Sequence, residues 1–88
     1  MQQWFLYIIQ CDDQSLYTGI ATDTDRRFDE HLNTFLKKGK KGAKYFYGRK
    51  PLEIVYQEIH VNRSEASRRE AAIKKLTRTK KLLLISSR

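Results

Sequence analysis

Eighty-eight residues give room for one core and little more, because a chain this short buries only roughly 60 to 65% of its unfolded surface. A 40% hydrophobic and 32% charged composition argues against disorder, and a net charge of +8 argues for a polyanionic partner, nucleic acid first. The lone Cys11 excludes an internal disulfide, and no apolar run is long enough to cross a bilayer, so a reduced, cytoplasmic setting with no membrane partner is expected.

Trp4 to Ile9 is aromatic and β-branched on both alternating faces, the pattern of a central strand covered on both sides. Asp12-Asp13-Gln14-Ser15 supplies turn chemistry, and Leu16 to Ala21 resumes the strand pattern, so the two form a hairpin. Placing Tyr7 and Tyr17 on one face requires paired residue numbers with an even sum. A three-residue loop, Asp12-Asp13-Gln14, meets this by pairing Ile9 with Tyr17 and Tyr7 with Gly19. It puts Gln14 in the left-handed position usually given to glycine, and it leaves space at Gly19 for a ligand.

Thr22 to Asp25 offers a capping box, hydroxyl at Thr22 and carboxylate at Asp25, ahead of an apolar stripe at Phe28, Leu32, Phe35 and Leu36. A helix of about three turns follows. Arg27 and His31 project from one flank of that stripe, and Arg26 points nearly opposite. Lys37 to Lys50 carries six Lys, one Arg and three Gly around four apolar or aromatic residues, and reads as an irregular basic segment with at most a short helical turn.

Leu52, Ile54 and Tyr56 on one face, with Val55 and Ile59 on the other, make a third strand. Asn62 to Glu65 repeats the capping-box pattern and opens a helix through Leu76, and Thr77 caps a last helix through Ile85. The expected fold is a single α/β (α+β) domain over 1–88, a small three-stranded antiparallel sheet flanked by helices in the order ββαβαα. Cys11 reads as a small buried residue, and His60 as a strand-end residue without a catalytic setting.

Phe5-Leu6-Tyr7, separated by nine residues from Tyr17-Thr18-Gly19, resembles the paired tripeptides of the GIY-YIG nucleases. Phe5 and Leu6 stand where that motif has Gly and Ile. The continuation through Arg26, Arg27 and His31 is similar to the family's helix carrying an arginine and, four residues later, a histidine. Arg68 to Leu76 resembles its acidic helix, though no Asn follows Glu70 as it does in many larger members. The resemblance extends over nearly the whole chain, including Gly42 to Tyr45, and is closest to small one-domain bacterial members.

That resemblance implies metal-dependent hydrolysis of nucleic acid phosphodiesters, with DNA favoured over RNA. Glu70 would anchor one Mg²⁺ or Mn²⁺, Arg27 would grip the scissile phosphate, and Tyr17, Tyr7 and His31 would position and deprotonate water. A histidine with a free pKa near neutrality suits proton transfer, and it suits a structural hydrogen bond equally. Lys40, Lys41, Lys44 and Arg49 are suited to a phosphate backbone, and Tyr45 or Tyr47 to stacking on an unpaired base. With no second recognition domain, strong sequence specificity would require a protein partner. Two other classes remain open on the residues: a catalytically silent nucleic-acid-binding module, and a protein-interaction domain at a ribonucleoprotein.

Overall fold

The computed structural model describes residues 2–87. Strands β1 (Trp4–Cys11), β2 (Leu16–Ala21) and β3 (Pro51–His60) form one antiparallel sheet in the order β2-β1-β3. Helix α1 (Thr24–Phe35) and a 3-10 turn (Lys44–Tyr47) lie between β2 and β3, and α2 (Arg63–Lys74) and α3 (Arg78–Ser86) follow. The three-strand sheet with three helices in the order ββαβαα is the fold expected from the sequence pattern.

Central strand β1 contributes side chains to two cores, as its doubly apolar sequence requires. Tyr7, Ile9 and Cys11 pack with Ala21 and Phe46, joined by Phe28 of α1. Leu6 and Ile8 pack with Val55 and Ile73, joined by Leu76, Leu84 and Ile85 from the α2–α3 side. Buried Cys11 is a packing residue whose thiol pKa is pushed up by that burial. The hairpin pairs Ile9 with Tyr17 and Tyr7 with Gly19, and Gln14 takes the left-handed position at φ 67°. Its loop is closed by Cys11 N–H donating to the Ser15 carbonyl at 3.0 Å.

Two local expectations change. The cap of α1 is Asp23, whose carboxylate accepts from the Arg26 N–H at 3.0 Å, one residue later than the Thr22 box. A carboxylate is as good a cap as a hydroxyl, so composition alone could not place the first turn. In β3 the register against β1 shifts between Ile8 and Ile9, so Ile54 opposes Ile9 while Tyr56 opposes Ile8. Ile54 therefore joins the Tyr7 core, and Val55 and Tyr56 both join the other. One extra residue is enough to exchange the faces of everything beyond it.

Helix α2 is braced to the sheet by an ion pair. Arg69 donates to both Glu58 oxygens (2.9–3.1 Å), and Tyr56 and His60 also bond that carboxylate. Burial alone would push Glu58 up, but these partners hold its pKa down at about 2. His60 is thereby committed to a structural contact.

Candidate active site

Tyr7 and Tyr17 come from adjacent strands of the hairpin and His31 from α1. Their rings converge: the centroids of Tyr7 and Tyr17 are 6.3 Å apart, and those of Tyr17 and His31 are 5.2 Å apart. Gly19 makes this possible in a way the sequence did not show. A β-carbon there would lie 2.5 Å from the Tyr7 hydroxyl oxygen, so the space opposite Tyr7 is filled by the tyrosine's own ring and is not left for a ligand.

His31 is fully buried, as is Thr34 nearly so, while Phe28, Leu32 and Phe35 keep partial exposure. The inward line of α1 is thus rotated toward the polar side chains, and His31 sits at its centre, not on its flank. Phe46, anchored by the 3-10 turn, stacks at 4.4 Å from the His31 ring and 4.9 Å from Tyr17.

Both nitrogens of His31 are engaged. Nδ1 accepts the Ala43 backbone N–H at 3.1 Å, and Nε2 lies 2.9 Å from the Tyr7 hydroxyl. A backbone amide can only donate, so Nδ1 carries the lone pair and the neutral ring bears its proton on Nε2. Burial, reinforced by the Arg27 charge, pushes the His31 pKa down to about 4, so the ring is neutral near pH 7. His31 therefore donates to Tyr7 and has no free lone pair with which to take a proton. This arrangement suits His31 to holding the Tyr7 hydroxyl in place, not to taking a proton from it.

The strap that supplies Ala43 is tied down along its length. Gly42 N–H donates to Thr34 Oγ1 at 2.9 Å, and Arg27 Nη1 donates to the Lys41 carbonyl at 2.6 Å and to Glu30 at 2.8 Å. A β-carbon on Gly42 would lie 2.6 Å from the Glu30 carbonyl oxygen and 2.7 Å from His31 Cα. Only glycine lets the strap approach the helix this closely.

Arg27 is half-buried and Arg26 exposed, as their spacing on the helix predicts. The Arg27 charge acts on both tyrosine hydroxyls. Burial raises the pKa of Tyr7, with Tyr17 adding to the rise and Arg27 opposing it. Burial also raises Tyr17, with Lys74 and Arg27 opposing and Glu70 adding. Glu70 reaches this group from α2, which packs against β2. Lys74, one turn on, pairs with Glu70 at 3.3 Å. Sequence reading passed over Lys74, although its i,i+4 spacing from Glu70 was a usable signal.

The remaining sequence candidates divide. Tyr45 is packed edge to face with Phe46, lies 5.2 Å from Tyr17, and is covered by the Arg49 guanidinium at 4.3 Å. One face of its ring is thus taken by the guanidinium. Arg49 is further engaged by Asp13 at 3.0 Å. Lys40, Lys41 and Lys44 are exposed around the strap, and only the backbone of Lys41 touches the site.

Among the described residues no group of three or more His, Cys, Asp or Glu side chains is arranged to hold a metal. Glu70 is a half-buried hard oxygen donor with 23% of its side chain exposed. A single carboxylate suits Mg²⁺ or Mn²⁺, which keep waters and borrow substrate phosphate oxygens, and does not suit zinc. The residues fit a divalent ion of that kind, with the Lys74 ammonium as the cation it would displace.

The description "GIY-YIG catalytic domain" matches residues 3–82. The chain belongs to the GIY-YIG family. Members are nucleases that act on nucleic acid and generally use a divalent metal. A relative from Desulfotalea psychrophila, UPF0213 protein DP2720, is 48% identical over 96% of this chain and 72% of its own length. A UPF0213 protein of Staphylococcus aureus (strain Mu3) is 47% identical over the whole of both chains. The solution structure of UPF0213 protein BH0048 from Bacillus halodurans superposes with a TM-score of 0.60 at 40% identity, covering 98% of this chain and 85% of that one. These relatives' names specify no reaction. No helix among the described residues is long and apolar enough to cross a membrane.

Proposed function

We propose that this GIY-YIG protein is a metal-dependent endonuclease that hydrolyses phosphodiester bonds, DNA before RNA. The observation that carries the reading is the convergence of two tyrosines and a buried neutral histidine, with the charges of Arg27 and Glu70 near enough to act on the tyrosine hydroxyls. Phosphate binding alone requires neither the acid nor the tyrosines.

Arg27 holds the scissile phosphate, and its guanidinium offsets charge that builds on the phosphoryl oxygens. Tyr7, held from the buried side by His31, is the group we assign to donating an O–H to a phosphate oxygen or the attacking water. Tyr17 is the group we assign to activating water. Although burial raises its pKa, the nearby Lys74 and Arg27 charges favour its ionised form. Glu70 would hold one Mg²⁺ or Mn²⁺, which when bound supplies Lewis-acid neutralisation of the phosphate. Lys40, Lys41, Lys44 and Arg49 contribute long-range attraction for the strand.

The two arginines of α1 test the assignment. Arg27→Ala should lower cleavage by about 10² to 10³-fold, the scale of one lost transition-state contact, while Arg26→Ala changes it little. Equal losses from both, with melting temperatures unchanged, would reject the role given to Arg27.

A further inference from the structure

The chain leaves α1 through Lys37, which takes a left-handed φ of 61°, and folds back toward the 3-10 turn. Between them lies an open cleft of about 670 Å³, lined by Thr34, Lys37, Lys38, Gly39, Lys40 and Tyr47. Three cations and no acid face it. Tyr45 and Phe46 of the same turn are packed inward against Tyr17. Tyr47 is the one aromatic among the described large side chains left exposed, at 62%. The 3-10 turn, held in place by Phe46, carries this ring at the mouth of the cleft.

We propose that this cleft is a subsite for an unpaired nucleotide of the substrate strand, with the base stacked on Tyr47 and its phosphates against Lys37, Lys38 and Lys40. The proposal rests on the nuclease reading and names the substrate class more closely. A lone ring set among lysines captures any base by its face, and a base already stacked inside a duplex has no free face to give. Seven helical steps separate Arg27 from Thr34, about 10 Å along α1 at a rise of about 1.5 Å per residue. That matches roughly three stacked nucleotides at about 3.4 Å each, so one strand can reach from the scissile phosphate to the cleft. Of the two tyrosines suited to stacking, Tyr45 and Tyr47, the subsite uses the exposed one, Tyr47.

The test is fluorescence anisotropy of full-length protein with a labelled single strand and the matched duplex, in chelator so that nothing is cut. Tyr47→Ala should weaken single-strand binding about tenfold and leave duplex binding unchanged, and Tyr47→Phe should bind both as wild type does. Because Tyr47 is exposed, a melting curve for each variant should match wild type. Single-strand affinity that is unchanged in Tyr47→Ala, or lost equally on the duplex, overturns the subsite. Polyglutamate that competes as well as the oligonucleotide also overturns it, in favour of a site for acidic peptides. Cleavage by wild type and by Tyr47→Ala in Mn²⁺ is read in parallel. Cutting with no Tyr47 dependence removes the subsite alone, and Tyr47-dependent strand binding with no cutting removes the nuclease reading alone.

Discussion

His31 sets the hydrogen bonding of Tyr7, on which the proposed role of the tyrosine pair depends. With Nδ1 held by the Ala43 amide and Nε2 against Tyr7, the ring is a fixed donor, and protonating it would set Nδ1–H against an N–H. The unfolded chain takes up this proton near pH 6.5 and the folded chain only near 4. Between those values the unfolded state binds more protons, so His31 makes stability fall as pH drops through that window, by about 3 kcal/mol at full depth. Glu58 acts below it, over roughly pH 4.5 to 2, because its folded pKa is also depressed. His31→Gln should melt lower than wild type at pH 7 and show a flatter pH dependence from 6.5 to 4. Nitrogen-15 shifts of wild type should show the Nε2–H tautomer of His31 down to about pH 4. An Nδ1–H tautomer, or titration near 6.5, would refute the positioning role.

At the scale of elements, the strap after α1 does as much for the site as the strands do. Gly42→Ala should force the strap off the helix, since its β-carbon meets backbone at 2.6–2.7 Å, and cost about 1–3 kcal/mol. Gly48→Ala is the control: nothing lies within 4 Å of the added carbon, and φ is −132°. Thermal melts and amide exchange at Ala43 read the difference, and equal behaviour of the two variants would show that the close approach carries no weight. The hairpin was legible in the sequence because loop parity fixes which side chains share a face. Caps at Asn62 and Thr77 were legible because a side-chain oxygen before a helix has one local use. What was not legible depends on partners far along the chain. The rotation of α1 that buries His31 answers to Phe46 and Gly42, the β3 bulge answers to β1, and the pairing of Arg69 answers to Glu58 on β3.

Across the whole molecule, the sheet joins two cores, and the candidate site forms where the hairpin, α1, the strap and α2 meet. A net charge of +8 draws nucleic acid to all of this surface, so binding by itself says little about chemistry. Glu70 is the residue whose loss separates the two. Its pair with Lys74 is an i,i+4 contact within one helix, with the lysine 52% exposed, and such pairs contribute only about 0.3–0.5 kcal/mol. Glu70→Gln should therefore keep the fold, the melting temperature and metal-free nucleic-acid binding. The most direct measurement is cleavage of labelled single-stranded and duplex oligonucleotides by wild type and Glu70→Gln, across a Mn²⁺ titration and in chelator. Wild-type cutting that rises with Mn²⁺, stops in chelator and is absent from Glu70→Gln is the expected result. Equal cutting by the two proteins, or cutting that persists in chelator, would contradict a metal-dependent nuclease anchored at Glu70.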